Sequence, residues 1–210
     1  MCSLMAGSGI PYVLETALGS IARELDVIGP GKPPVWLLGG SCGLLLHGVQ
    51  LSAAPRDIDL YCDLEDTAQL HRALLRYTVC APEEDYSGGC YSLRGLYFIG
   101  EVKVELVGGF RIGSGSGQYA VDISKLQSYA PKCTFEGSGR LALMPLVHEL
   151  IFNLLRGREE RCRAIAELMK QDVAGHLPLL EQLIEENHLE ADGLQSRLDE
   201  LLGISESIRI

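Results

Sequence analysis

Residues 35–62 read VWLLGGSCGLLLHGVQLSAAPRDIDLYC, and this stretch decides the fold. Val35-Trp36-Leu37-Leu38 is a short continuous apolar run, as expected of a buried strand, and Pro33 and Pro34 deliver the chain into it. Gly39-Gly40-Ser41 closes the run, and Cys42 to His47 reads as a short helix with Ser41 as its cap. Glycines at such a turn let backbone approach a ligand, and amides exposed at a helix start favour a phosphate. The same turn also uses glycine for geometry alone. A second strand follows at Asp57-Ile58-Asp59-Leu60-Tyr61-Cys62. Residues two apart on a strand share a face, so the carboxylates of Asp57 and Asp59 emerge together while Ile58 and Leu60 point into the core. Paired carboxylates repel unless a proton or cation intervenes, and magnesium suits hard oxygen donors. The plainer alternative is the polar face of an edge strand, with Arg56 as its counter-charge.

Upstream, Leu14, Leu18, Ile21, Leu25 and Ile28 form a helical stripe that Gly29-Pro30-Gly31 ends. Downstream, Asp63 and Glu65 favour a helix start, and that helix is expected to run to about Tyr77. Strand formers then dominate: Val79-Cys80-Ala81, a turn at Gly88-Gly89, Cys90 to Ile99, and the alternating Glu101 to Val107. On that last strand Lys103 and Glu105 share a face. If it neighbours Asp57–Tyr61 with the apolar faces together, Glu105 joins the two aspartates. Such a trio can hold metal, and a carboxylate free of it can accept a proton from an attacking hydroxyl. Gly113 to Gly117 reads as a flexible loop, and strand pieces are expected around Tyr119–Ile123 and Arg140–Leu143.

From Pro145 the period becomes helical. Helices are expected from Pro145 to Leu155, Glu159 to Lys170, Leu177 to Glu186 and Ala191 to Leu202. The expected fold class is α/β (α+β): a mixed twisted sheet flanked by helices, with a C-terminal helical segment. The expected division is an α/β domain over residues 1–143 and a C-terminal helical bundle over 144–210.

At 210 residues and 22.8 kDa, 47% hydrophobic and 22% charged, the chain has a folded protein's composition, which excludes disorder as its main state. The net charge of -10 argues against a surface that grips duplex DNA. Arg156, Arg158, Arg161 and Arg163 form the dense basic cluster, and it reads as a pocket rim. Seven cysteines lack zinc-site spacing, no leader or membrane-length apolar run is visible, and a reduced, cytoplasmic, non-membrane protein is expected. His148-Glu149 begins like a zinc-protease helix, but Phe152 stands where the second histidine belongs.

Taken together, Trp36-Leu37-Leu38-Gly39-Gly40-Ser41, the helix ending in His47-Gly48, and Pro55-Arg56-Asp57-Ile58-Asp59-Leu60-Tyr61 resemble the nucleotidyltransferase superfamily of polymerase-β-like fold, especially its small bacterial members. The resemblance covers residues 13–107 and, more loosely, 145–169. It implies that Gly39, Gly40 and Ser41 hold the phosphates of a nucleoside triphosphate, with Arg156 and Arg158 reaching the same phosphates. It also implies that Asp57 and Asp59 bind Mg2+ or Mn2+ and that Glu105 completes the metal site and orients or deprotonates the acceptor hydroxyl. The implied reaction is transfer of a nucleoside monophosphate, with pyrophosphate released, to a small molecule, a protein or an RNA end.

The sequence departs from the family in its helical part. Asn153 lies near the position of an expected lysine, Glu159 replaces a second, and Ala164 follows where an acid is usual. These departures sustain an alternative reading: a catalytically weak or silent binding or regulatory protein of the same fold, with a protein partner such as the other half of a toxin-antitoxin pair.

Overall fold

The alternating strands of the sequence form the centre of a mixed sheet. In this computed structural model, which describes residues 10–26, 32–114, 117–120, 122–134, 140–189 and 193–204, β2 (Asp57–Cys62) lies parallel to β5 (Val102–Ser114). Strand β1 (Trp36–Gly39) pairs antiparallel with β2 on its other side. Beyond β5 come β4 (Cys90–Ile99) and β3 (Thr78–Asp85), both antiparallel, giving the order β1-β2-β5-β4-β3. The far end of β5 turns back into β6 (Gly117–Ala120). The Gly113–Gly117 segment, expected to be a loop, is therefore largely strand where it is described; residues 115 and 116 lie outside the described set.

One face of the sheet is apolar throughout. Ile58, Leu60, Val104 and Leu106 are fully buried there against α1 (Tyr12–Asp26) and α3 (Leu64–Ala73), whose Leu14, Leu18, Ile21 and Leu70 complete the cluster. The other face changes character along its length. Tyr61, Val107 and Phe110 are buried under the C-terminal helices, whereas Asp57, Asp59, Lys103 and Glu105 lie beyond that cover. Burying a side chain such as Leu or Phe stabilises by about 1.5–3 kcal/mol, while burying an unpaired carboxylate is costly, so this sequence pattern dictates which end of the face stays open.

The helical part comprises α5 (Leu146–Leu155), α6 (Glu159–Met169), α7 (Val173–Glu186) and α8 (Leu194–Leu202). It shares one continuous apolar cluster with Val35, Leu37, Tyr61 and Val107 of the sheet. Met144 N–H donates to Leu38 O at 2.8 Å, which tethers the entry to α5 against β1.

Several boundaries differ from the sequence expectation, each for a local reason. The first helix is described to Asp26, and the Gly29-Pro30-Gly31 breaker lies outside the described residues. Helix α3 ends at Ala73, and Leu75–Tyr77 is a separate 3-10 turn. Helix α7 starts four residues before Leu177 because the Asp172 side chain caps it, accepting from Gly175 N–H at 3.1 Å. Ile123 opens a short helix, α4 (Ile123–Leu126), instead of ending a strand; the Asp63 carboxylate accepts from the N–H groups of Ile123 and Ser124 at 2.8 and 3.0 Å. A two-stranded sheet, β7 (Lys132–Thr134) with β8 (Arg140–Ala142), completes the chain. The six described cysteines are free thiols, and no helix of the described residues is long and apolar enough to cross a membrane.

Candidate active site

The parallel register of β2 and β5 places Asp57 opposite Lys103 and Asp59 opposite Glu105. All four side chains stand on the uncovered part of one sheet face, where Asp57, Asp59 and Glu105 border a cavity of about 400 Å³. Asp57, Asp59 and Glu105 line it from the sheet, Gly40 and Ser41 from the start of α2 (Gly40–His47), and Arg156, Arg158 and Arg161 from the α5–α6 junction. Tyr61, Phe110 and Phe152 form its aromatic side, and Asp85, Ser87, Ser92 and Arg94 its rim on β3, β4 and the 3-10 turn between them. The structure thus brings the expected Asp57, Asp59, Glu105, Gly40, Ser41, Arg156 and Arg158 to one cavity. Gly39 sits just behind it, as the residue that caps α2.

The glycine turn is tighter than the sequence suggests. Gly40 has φ +62, and a Cβ there would collide with Asp59 Oδ2. A Cβ on Gly39 would stand 2.7 Å from the Tyr61 ring. The two glycines therefore admit the side chains of β2 as well as leaving room at the cavity. Ser41 is not the cap of α2: the helix begins two residues earlier than expected, at Gly40, Gly39 takes the cap position with no side-chain bond, and Ser41 Oγ accepts from Arg161 Nη2 at 3.0 Å.

The amide of Gly40 is also already engaged. It donates to Glu149 Oε1 at 2.8 Å, and Glu149 is a buried carboxylate on α5. Asn153, one helical turn on, donates from Nδ2 to the Glu149 carbonyl at 2.7 Å and to its Oε2 at 3.3 Å. Burial pushes the Glu149 carboxyl up to about 7, against the opposing pull of the Gly40 amide and the nearby Arg161. Asn153 Oδ1 is buried without a hydrogen-bond partner.

Charge is divided across the cavity. Lys103 Nζ lies 2.9 Å from Asp57 Oδ2 and 3.0 Å from Glu105 Oε1, and these bonds hold the ammonium up at about 12. Asp59 opens onto the cavity, yet protein packs closely around it. That burial, together with the charges of Asp57, Glu105 and Glu149, drives its carboxyl up to about 7. On the opposite wall, burial and the charges of Arg156 and Arg161 lower Arg158. Among the described residues no three His, Cys, Asp or Glu side chains are gathered closely enough to hold a metal ion as they stand.

Behind the aromatic side lies an apolar-faced histidine. His148 is buried, its Nδ1 is hydrogen-bonded to the Tyr119 hydroxyl at 2.8 Å, and its ring stacks on Phe152. Burial holds it down at about 3, so it is neutral throughout the physiological range.

Sequence reasoning passed over Glu149 and Lys103 as parts of this site. The signal for Lys103 was its shared face with Glu105. Glu149 offered only a lone acid in an apolar helix.

Comparison of the sequence with protein-family models finds no match, and comparison with curated proteins finds none either. Solved structures do match. A candidate nucleotidyltransferase from Thermotoga maritima superposes with a TM-score of 0.60 at 22% identity, over 77% of this chain and 96% of that one. ANT(2")-Ia, in complex with adenylyl-2"-tobramycin, gives 0.47 at 12% identity, over 83% and 98%. The lincosamide antibiotic adenylyltransferase LnuA, lincomycin-bound, gives 0.44 at 9%, over 76% and 98%. The chain shares the fold of the Thermotoga maritima protein.

Proposed function

We propose that the protein transfers a nucleoside monophosphate from a nucleoside triphosphate to a hydroxyl acceptor, with a divalent metal. The observation that carries this reading is the two-sided cavity, with Asp57, Asp59 and Glu105 on one wall and Arg156, Arg158 and Arg161 on the other. An arginine wall matches the geometry and charge of a triphosphate. A carboxylate wall alone would repel one. Magnesium or manganese reconciles the two walls, and the donor set fits such an ion. Asp59 is a hemmed-in carboxylate driven up by its neighbours, with Asp57 on the same strand face, and both offer hard oxygens.

In this reading Asp57 and Asp59 hold the metal, which when bound neutralises charge on the transferred phosphoryl group and the departing pyrophosphate. Arg156, Arg158 and Arg161 bind the triphosphate, and Arg161 positions the Ser41 hydroxyl beside it. Glu149 occupies the Gly40 amide, so the triphosphate is held by Ser41 and the arginines. Glu105 accepts the proton of the acceptor hydroxyl. The acceptor oxygen forms a bond to the α-phosphorus as the bond from that phosphorus to the pyrophosphate oxygen breaks. The acceptor is a small molecule, a protein or an RNA end. Duplex DNA is disfavoured by the net charge of -10.

Incubation with α-labelled nucleoside triphosphates, Mg2+ or Mn2+ and cell extract tests the reaction. Label should enter an acceptor fraction and should not do so with Asp57→Asn/Asp59→Asn. A second reading is favoured by the missing lysine at Asn153 and by the lack of a ready metal cluster among the described residues: a nucleotide-binding regulatory module of the same fold. It predicts triphosphate binding with no label transferred.

A further inference from the structure

Lys103 is built into the carboxylate face itself. Strand register fixes its place, since Asp57 pairs with Lys103 and Asp59 with Glu105 across two parallel strands, so the four side chains occupy the corners of one patch. From there the ammonium reaches Asp57 Oδ2 at 2.9 Å and Glu105 Oε1 at 3.0 Å. Arg94, the other cation on this side, stands 3.9 Å from Glu105 and is engaged at 3.0 Å by Asp85. Among the described residues no hydrogen bond or ion pair reaches the carboxylate of Asp59. The patch is therefore split: Asp57 and Glu105 share a tethered cation, and Asp59 faces the cavity with no ion pair of its own.

We propose that Lys103 occupies one of two cation positions on this face, so that the resting protein takes up one divalent ion, at Asp59, and a second only when Lys103 withdraws. An ammonium and a divalent ion compete for the same carboxylate oxygens, and the lysine holds its place at high local concentration because it is covalently attached. It can also leave. Its side chain is 38% exposed, and a flexible four-carbon stem can swing away from a strand that cannot move. The inference rests on the metal-dependent reading above and extends it by naming the residue that sets how many ions the face accepts.

The test is Mn2+ binding to the full-length, nucleotide-free protein, read by calorimetry and by the electron spin resonance of free Mn2+. Wild type is compared with Lys103→Met, Lys103→Gln, Lys103→Arg and Asp59→Asn, and thermal unfolding confirms that each is folded. Wild type should bind one ion. The neutral variants should bind about tenfold more tightly, equivalent to ~1.4 kcal/mol, with stoichiometry rising toward two. Lys103→Arg should behave as wild type, and Asp59→Asn should lose binding. If a folded neutral variant matches wild type in both affinity and stoichiometry, the role of Lys103 is overturned while the metal reading stands. If neither wild type nor the neutral variants bind Mn2+, the metal reading falls and this inference falls with it.

Discussion

Asp59→Asn should stabilise the metal-free protein. The Asp59 carboxyl is pushed from 3.8 to about 7 by burial and by the charges of Asp57, Glu105 and Glu149. At about 1.36 kcal/mol per pKa unit the full displacement corresponds to ~4 kcal/mol. Solvent entering through the cavity screens this to ~1–2 kcal/mol. A folded-state pKa above the unfolded one costs stability at high pH. The cost is absent below the unfolded value near 3.8, grows as pH rises toward 7, and is constant above it. Asparagine keeps the shape and removes the charge, so the variant should gain ~1–2 kcal/mol at about pH 8, a rise of about 3–6 °C in Tm. The gain should shrink progressively on acidification toward about pH 4.5. Thermal unfolding followed by circular dichroism, in chelator, reads both quantities. Glu149 is shifted the same way and its charge acts on Asp59, so the gain also includes the repulsion that Glu149 loses in the variant. Asp57→Asn is the control, because it loses the ion pair to Lys103 and should show no such gain. An Asp59→Asn protein that is no more stable at about pH 8, or whose gain persists in acid, would refute the picture of an uncompensated carboxylate.

Other expectations follow from single contacts. Gly40→Ala forces a Cβ onto Asp59 Oδ2 at φ +62, and chemical denaturation should show a loss of ~2–4 kcal/mol. Tyr119→Phe strands the buried Nδ1 of His148 and should cost ~1–3 kcal/mol. Because His148 is held at about 3, that cost should be the same at about pH 6 and about pH 8. Arg161→Ala removes the donor to Ser41 and one charge from the phosphate-facing wall. Calorimetry should find triphosphate affinity reduced about tenfold, with little change in Tm.

Much of this architecture was legible because it depends on periodicity. The alternation of Asp57–Cys62 and of Val102–Val107 each separates a polar from an apolar face, and parallel pairing of two such strands with the apolar faces together brings Glu105 to Asp59. The C-terminal helices announce themselves by their 3.6-residue stripe. What escaped depends on contacts between distant segments. Ser41 satisfies the composition rule for a cap, yet Gly40 can adopt φ +62 and starts α2 two residues sooner, which frees the Ser41 hydroxyl for Arg161. Asp63 looks like an acid favouring α3, but its carboxylate spans to Ile123 and Ser124, sixty residues on. Glu149 sits in an apolar helical run, and only the packing of α5 beneath the Gly39-Gly40 turn reveals that a backbone amide is waiting for it.

The most direct test of a metal-dependent nucleotide site is calorimetric titration of the folded protein with nucleoside triphosphates, with and without Mn2+. Binding should appear in wild type only with metal, and should vanish in a folded Asp57→Asn/Asp59→Asn variant. A folded wild type that binds none of the common triphosphates, or binding that needs no metal and survives the double substitution, would contradict it.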